Sequence, residues 1–586
     1  MKKLMIGNEA VARGLYEAGV RLVSSYPGTP STEITEFAAK YDEIYAEWAP
    51  NEKVALEVAL GGSIAGGRTF CGMKHVGLNV AADPLFITSY TGIGGGMLIC
   101  VADDPGMHSS QNEQDSRHYA IAAKLPMLEP SDSAECCAFA KAAYDLSERF
   151  DTPFILRSST RVAHSQSLVE TGEREERPLR EYSKDASKYV MMPANARPRH
   201  TVVEERFDEL RAFAESTDLN RIEMNGGKLG IITAGSSYIY ARECFGEGAS
   251  YFKLGLINPL PLKALADFAS EFERVIVIEE LDPVIETQVR SAGIKNALGG
   301  DVEGKNLLPL TGEFSSELLR ELILGEKADY AELPDMEIPP RPPALCSGCP
   351  HRGTFYVFKK LGLTVFGDIG CYTLGAAQPL AAMDTTLCMG ASISAAHGFS
   401  KIRGADSAGK TVAVIGDSTF MHSGMTGLAD ITYNMGIMTV VIVDNSITGM
   451  TGHQQNPCTG LTLKNQPTYA ISLEAVAEAL GVEKAHIRVV DPYDIKTLET
   501  VLKEELEAPV PSVIICRRPC VLLKYVKAAP PLSVDASKCR SCRACMSIGC
   551  PSLSFVQRKA VIDETLCVGC GVCSHLCRFG AIGGTK

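Results

Sequence analysis

The chain is poor in positive charge: 57 lysines and arginines face 70 aspartates and glutamates, a formal balance of −13. Nucleic-acid-binding surfaces are basic, so nucleic acid is excluded as the main partner, a small basic patch aside. Long apolar runs are absent too. None approaches the ~20 residues that a membrane-spanning helix needs, so no membrane is expected. The amino-terminal segment MKKLMIGNEAVARGLYEAG has neither a long apolar stretch nor a small-residue cleavage site. It reads as the start of the fold and not as a signal peptide, which predicts a cytoplasmic protein. No repeat of solenoid period is present. The run TGIGGG at 91–96 lacks the Lys-Ser/Thr pair of a phosphate loop and precedes a strand where such a loop needs a helix. A tight turn near the binding site is expected there instead.

What the chain has in plenty is cysteine, 20 in 586 residues, with eight between Cys539 and Cys577. Disulfide frameworks belong to small secreted chains, whereas closely spaced runs in a long enzyme-like chain indicate metal. The remaining composition, 45% hydrophobic and 22% charged, is that of an ordinary globular protein. The length predicts three or four domains.

Short β-rich runs separated by helical patterns divide the chain into α/β regions. In 1–187, MLICVAD (97–103) and PFILRSS (153–159) read as buried parallel strands and NEKVALEVALGGSIAGG as a helix. In 198–324 the strands are KLGIITAG (228–235) and RVIVIEE (274–280). The proline-rich 332–345 cannot be a helix interior or a central strand and reads as a linker. In 346–526 the strands are TVAVIGD (411–417), MTVVIVDN (438–445) and VPSVIICRR (510–518). A second linker, 526–537, leads to a cysteine-rich tail, 530–586. Cys136, Cys137 and Cys244 sit in helical patterns and read as core.

The tail has Cys539, Cys542 and Cys545 at x2-x2 spacing, then Cys550-Pro551; Cys567, Cys570 and Cys573 repeat the spacing before Cys577. Three thiolates so spaced on a loop grip one face of a [4Fe–4S] cube, and in two-cluster ferredoxins the fourth comes from the other run. That pattern assigns Cys539, Cys542, Cys545 and Cys577 to one cluster and Cys567, Cys570, Cys573 and Cys550 to the other. Zinc held by CxxC pairs is the alternative. The first run has one extra residue before its last cysteine, which predicts a longer loop.

Two strand ends in the third region carry oxygen donors. TVAVIG ends in Gly416, Asp417 and Ser418; MTVVIV ends in Asp444 and Asn445, 28 residues after Asp417. Carboxyl ends of parallel strands are where open α/β sheets bind ligands. A diphosphate needs a hard divalent ion, and Mg²⁺ is content with a carboxylate, an amide oxygen and a backbone carbonyl. The arrangement resembles the thiamine-diphosphate motif, GDG followed at some distance by NN, with departures at Ser418 and Asp444. On that match Asp417 and Asn445 supply side-chain oxygens and Ile447 a carbonyl. Two ordinary strand ends with turn residues are the alternative reading.

The neighbouring segments resemble the thiamine-diphosphate-dependent 2-oxoacid:ferredoxin oxidoreductases. Thr448-Gly449-Met450-Thr451-Gly452 continues that family's pattern, Cys346-Ser347-Gly348-Cys349 resembles its CxGC opening, and Gly370-Cys371 its third-cysteine turn. Tyr26-Pro27-Gly28-Thr29-Pro30-Ser31 is similar to its YPxTPS segment, in which the threonine, here Thr29, contacts the substrate carboxylate. Glu52 stands where the family keeps its catalytic glutamate, a desolvated acid that activates the aminopyrimidine. The likeness spans essentially the whole chain, and its domain order is most like the large (α) subunit of the indolepyruvate branch. It implies an α/β fold of transketolase-like, doubly wound thiamine-diphosphate domains: 1–187 pyrimidine-binding, 198–324 transketolase-C-like, 346–526 diphosphate-binding and 530–586 a ferredoxin-like 2×[4Fe–4S] domain. It further implies oxidative decarboxylation of aryl 2-oxoacids to aryl-acetyl-CoA, with CoA as co-substrate and ferredoxin as acceptor. A smaller β subunit would complete a heterotetramer of two α and two β chains. Pyruvate or branched-chain 2-oxoacids are alternative substrates. A non-oxidative thiamine decarboxylase or carboligase is an alternative activity, and an electron-transfer subunit with a degenerate thiamine fold a non-enzymatic one.

Three assignments stay open. Cys346, Cys349 and Cys371 match three ligands of a third cluster in multi-cluster relatives, with Cys520 or Cys458 as the fourth, against unligated structural cysteines. Arg117, in the polar stretch 108–118, is a candidate to neutralise a 2-oxoacid carboxylate, against a solvated loop. Arg517, Arg518, Lys524, Lys527, Lys538, Arg540 and Arg543, opposed only by Asp535, form a candidate ferredoxin-docking patch, against ordinary loop charges.

Overall fold

The computed structural model describes residues 1–327, 339 and 341–584. They fall into two compact units, Met1–Pro334 and Asp335–Lys586. Of the proline-rich segment 332–345, residues 332–338 and 340 lie outside the described residues.

The first unit is built on a seven-stranded sheet in the order Leu256–Asn258, Met127–Leu128, Phe154–Ser159, Met97–Asp103, Thr69–Lys74, Leu22–Ser25, Tyr45–Trp48. All neighbours are parallel except Leu256–Asn258, which runs antiparallel at one edge. Met97–Asp103 is buried at every residue, as a parallel strand covered on both faces must be. A four-stranded sheet, Arg274–Ile278, Leu229–Ala234, Ser250–Leu254 and Arg221–Glu223, follows in the chain. Its Phe252 and Val277, with Phe268 of the helix Leu262–Ala269, share one apolar core with Met73 and Ile99 of the first sheet and Leu56 of the helix Glu52–Ile64. The helix Pro193–Ala214 starts in the gap left between 187 and 198, and Arg206 on it donates to the carbonyl of Ser89 at 2.8 Å, tying it to the first sheet's helix Ala82–Thr91. The glycine-rich turn at 92–96 lies at the amino end of Met97–Asp103, where Gly92, at φ 65°, packs on Asp151. This corrects the expectation of a turn near the binding site, because parallel strands present ligands at the opposite edge.

The second unit holds a six-stranded, all-parallel sheet in the order Thr385–Thr386, Thr364–Gly367, Thr411–Gly416, Thr439–Asp444, Ser512–Arg517, Ile487–Val490. The cysteine-rich tail adds two antiparallel pairs, Leu532–Val534 with Ile582–Gly584 and Leu553–Val556 with Lys559–Ile562. Segment 526–537 is not a loose tether: Leu532–Val534 is one of those strands and the Ala529 N–H donates to Val568. Ile548, Leu553 and Val572 of the tail share an apolar core with Phe355, Val412 and Ile514 of the sheet domain. Burying these side chains, at about 1.5–3 kcal/mol each, docks the tail on its own unit. Among the described residues no helix is long and apolar enough to cross a membrane.

Candidate active site

In the second unit the β-branched strands Thr411–Gly416 and Thr439–Asp444 run side by side with Gly416 opposite Val443, so register alone brings Asp417 beside Asp444 and Asn445. Gly416 and Gly370 have no room for a side chain, because a Cβ on either would collide with the ring of Tyr372. Burial, and then the charge of Asp444, push the Asp417 carboxyl up to about 7. Asn456 donates to its Oδ2 at 3.0 Å. Asp444 is settled differently: Arg517 Nε donates to its Oδ2 at 2.6 Å, and the Ser446 N–H to its Oδ1 at 2.9 Å. The Asn445 amide end lies 2.7 Å from the Ile447 carbonyl and 3.2 Å from Asp417 Oδ1. With its NH₂ turned inward, it donates to both. With its oxygen inward, a carboxylate, an amide and a backbone oxygen face one another, and only a cation satisfies the three. This donor set fits a hard divalent ion. Ser418 lies beside it, its hydroxyl bonded to Thr448 Oγ1 at 2.9 Å.

Cysteines adjoin this edge. A Cβ on Gly449 would lie 3.4 Å from both Asn445 Nδ2 and Cys371 Sγ, and the Cys520 N–H donates to the Asn445 carbonyl at 2.9 Å. Burial pushes the Cys371 thiol up to about 11, with Cys520 and Cys346 acting in the same direction. Cys349 is pushed up to about 12, by burial first, with Cys346 and Cys371 acting in the same direction. Each of Cys346, Cys349, Cys371 and Cys520 thus lies within electrostatic reach of at least one other of the four. Cys458 is not among them; after burial, the charges acting on it are those of Asp417 and Asp444.

The tail continues the series. Cys550, Cys567, Cys570 and Cys573 line one small cavity together with Gly348, Cys349 and Arg352. Cys545 lies within reach of the charges of Cys542, Cys577 and Cys539, and in turn acts on Cys573. Among the described residues no three His, Cys, Asp or Glu side chains are gathered to hold one metal ion. That describes single-ion sites, not a cube whose irons each take their own thiolate. Between the groups sits Arg352, buried, with Nε donating to the Cys346 carbonyl at 3.0 Å and Nη1 to the carbonyls of Ile548 (3.1 Å) and Gly549 (2.5 Å). Nothing in its sequence context marked it.

In the first unit, Asn51 caps the helix Glu52–Ile64 by accepting from the Val54 N–H at 2.9 Å, which fixes Glu52 at the first turn. Glu52 is buried, and its carboxyl lies against Gly77, where a Cβ would come within 2.5 Å of Oε1. Thr29 is half-buried on the turn after strand Leu22–Ser25. Arg117 is not available to a substrate. It is buried, with Nε donating to Asp115 at 2.8 Å, Nη1 to Glu279 at 2.5 Å, and Nη2 to Asp115 and the carbonyls of Glu280 and Asp282. The spacing of 108–118 could not show that Glu279, far along the chain, claims this guanidinium. The basic run is also thinned: Arg517 pairs with Asp444 and Glu474, Arg518 with Asp491 and Lys538 with Asp535. Lys524, Lys527, Arg540 and Arg543 remain without an ion pair among the described residues.

Family models match four stretches: the thiamine-diphosphate-binding region of pyruvate flavodoxin/ferredoxin oxidoreductases at 13–220, an indolepyruvate oxidoreductase domain at 221–318, a C-terminal thiamine-pyrophosphate-binding domain at 368–516 and a 4Fe–4S binding domain at 560–583. The indolepyruvate oxidoreductase subunit IorA of Archaeoglobus fulgidus is 39% identical over 99% of this chain and 97% of its own. Those of Pyrococcus horikoshii and Methanothermobacter thermautotrophicus are each 40% identical over 99% of this chain, and over 96% and 97% of theirs. With thiamine-binding and iron–sulfur modules in one near-full-length match, the chain is an oxidoreductase subunit and belongs to the indolepyruvate oxidoreductase subunit IorA family.

Proposed function

We propose that this chain oxidatively decarboxylates aryl 2-oxoacids such as indolepyruvate to aryl-acetyl-CoA and CO₂, together with a smaller β subunit in a two-plus-two heterotetramer, and passes the electrons to a ferredoxin. One observation carries the reading: thiols stand beside the Asp417–Asn445 edge, and others of the same unit lie toward and within the tail. Cys371 and Cys520 flank Asn445, Cys346 and Cys349 follow, and Cys349 shares a cavity with Cys550, Cys567, Cys570 and Cys573. A decarboxylase or carboligase that exports no electrons has no use for such a series. The names of the relatives support an indolepyruvate-type substrate.

When bound, thiamine diphosphate supplies the electron sink at the substrate carbonyl carbon. The chain's own groups do the rest. Asp417, Asn445 and the Ile447 carbonyl would hold Mg²⁺ against the diphosphate, with Gly370, Cys371, Gly416, Ser418 and Thr448 around it. Glu52, buried on Gly77, would hold a proton for the pyrimidine ring, and Thr29 would meet the substrate carboxylate. Cys539, Cys542, Cys545 and Cys577 would hold one [4Fe–4S] cluster, Cys550, Cys567, Cys570 and Cys573 a second, and Cys346, Cys349, Cys371 and Cys520 a third. In this reading the four domains are 1–187, 198–324, 346–526 and 530–586, acting in the cytoplasm. The test is an anaerobic activity panel on the complex with its β subunit: indolepyruvate, phenylpyruvate, pyruvate and 2-oxoglutarate, each with CoA and ferredoxin. Aryl pyruvates should give the highest kcat/KM. No ferredoxin reduction with any of the four would sink the reading.

A further inference from the structure

The carboxyl edge of the first sheet holds a lysine that no carboxylate among the described residues pairs with. Lys74 ends strand Thr69–Lys74 and is only 8% exposed. Its Nζ donates to the Ser109 carbonyl at 2.8 Å and reaches the Ser109 hydroxyl at 3.5 Å. No carboxylate lies within 4 Å of it among the described residues. Asp104, whose charge acts on Lys74, is turned to other partners: its Oδ2 accepts from the Ser109 N–H (2.9 Å) and Ser110 Oγ (2.6 Å), and its Oδ1 from Thr160 Oγ1 (2.6 Å). Burial lowers the Lys74 pKa, and Asp104 opposes that only in part. An ammonium taken out of water beside a single carbonyl is costly, and proteins pair such charges or leave them for a ligand.

A second, independent feature points the same way. His75, next in the chain and 1% exposed, has Nε2 3.3 Å from the Asn112 carbonyl, while its buried Nδ1 has no hydrogen-bond partner among the described residues. Both residues stand among those already placed at this edge. The Lys74 stem lies against Gly28, where a Cβ would come within 3.0 Å of Lys74 Cβ, and Gly28 precedes Thr29. His75 opens the helix His75–Val80, whose Gly77 bears the Glu52 carboxyl. The one arginine suspected of meeting a substrate carboxylate, Arg117, is consumed by Asp115 and Glu279.

We propose that Lys74 is the cation that binds the carboxylate of the 2-oxoacid substrate, with His75 Nδ1 as a second polar contact to the same ligand. The proposal rests on the 2-oxoacid reading above, and it gives Lys74 the part that the sequence had offered to Arg117. The test uses the complete complex with Lys74→Met and Lys74→Arg. Losing one charge-assisted hydrogen bond should raise KM for indolepyruvate roughly ten- to a hundredfold in Lys74→Met. The change in kcat should be smaller, KM for CoA and thiamine diphosphate affinity should be unchanged, and Lys74→Arg should recover part of the loss. Melting provides a readout independent of turnover. Substrate-free Lys74→Met should melt at or above the wild-type temperature, because an uncompensated buried charge is gone. Indolepyruvate should raise the melting temperature of the wild type and not of the variant. An unchanged KM for the 2-oxoacid, an equal rise in KM for CoA, or a substrate-free variant that melts lower would overturn the proposal while the 2-oxoacid reading stands. A wild type that turns over no 2-oxoacid sinks that reading and the proposal with it.

Discussion

Two parallel sheets in this chain present a carboxyl edge, and they settle their buried charges in opposite ways. At the edge of the first, acids and arginines neutralise one another: Arg157 pairs with Asp103 and Glu129, Arg117 with Asp115 and Glu279, all of them buried or nearly so. Lys74 is left over. At the edge of the second, Arg517 takes Asp444, and Asp417 is left facing an amide and a carbonyl, with thiols behind them. One edge keeps an unmatched cation, the other an unmatched anion. A shared doubly wound scaffold can thus leave a positive charge at one edge and a negative one at the other, the sign being set by which side chain the local ion pairs omit.

The sharpest way to break this comparison is at the first edge. Glu52→Gln should fold and bind thiamine diphosphate yet lose about 10²–10⁴ in turnover, the usual cost of removing a positioned acid–base group. Steady-state rates alongside cofactor titration check it, and near-wild-type turnover would remove Glu52 from the reaction. At the second edge, the unmatched anion predicts a pH dependence. Without a cation the Asp417 carboxyl titrates at about 7, so it is protonated below that pH and ionised above it. Mg²⁺ needs the carboxylate, and its affinity should weaken about tenfold per pH unit below 7 and level off above, as one proton is displaced per ion. Isothermal titration of Mg²⁺ with thiamine diphosphate across pH 5.5–8.5 reads this directly, and a flat profile would show the anion to be matched by a group other than the metal.

Smaller effects sharpen the contrast between fixed charges and thiols. Three clusters should bring about twelve iron atoms per anaerobically prepared chain, and Cys520→Ala should lower this toward eight while thiamine binding persists. About eight in the wild type would remove the cluster next to the second edge. Arg352→Met leaves the Cys346, Ile548 and Gly549 carbonyls without their donor, at about 1–3 kcal/mol for each buried group left unsatisfied. The thermal midpoint should fall and the cluster potentials shift, as followed by melting and by EPR-monitored redox titration. The smallest effect is ionic. With Arg517, Arg518 and Lys538 already paired, salt should slow ferredoxin reduction only modestly, and a steep dependence would mean that other cations steer the encounter.

Sequence determined much of this by local rules. Runs such as TVAVIG and MTVVIV are too apolar and β-branched to be anything but buried strands, and where they stop is where Asp417 and Asn445 must stand. The spacing of the tail cysteines is likewise a local property, readable without a fold. Tertiary structure alone decided the rest. Arg117 looked free because its partner Glu279 lies far along the chain, just past the strand Arg274–Ile278 of the other sheet. Segment 526–537 looked like a tether because prolines and small residues say nothing of the strand partner 582–584. The charge of Cys520, and not that of Cys458, reaches Cys371 because Ser512–Arg517 runs beside Thr439–Asp444 and turns its next residues onto Asn445. Lys74 and Arg352 are ordinary residues in sequence. What sets them apart is a counter-charge missing from one and an unusual set of carbonyls around the other, and the chain writes neither until distant segments meet.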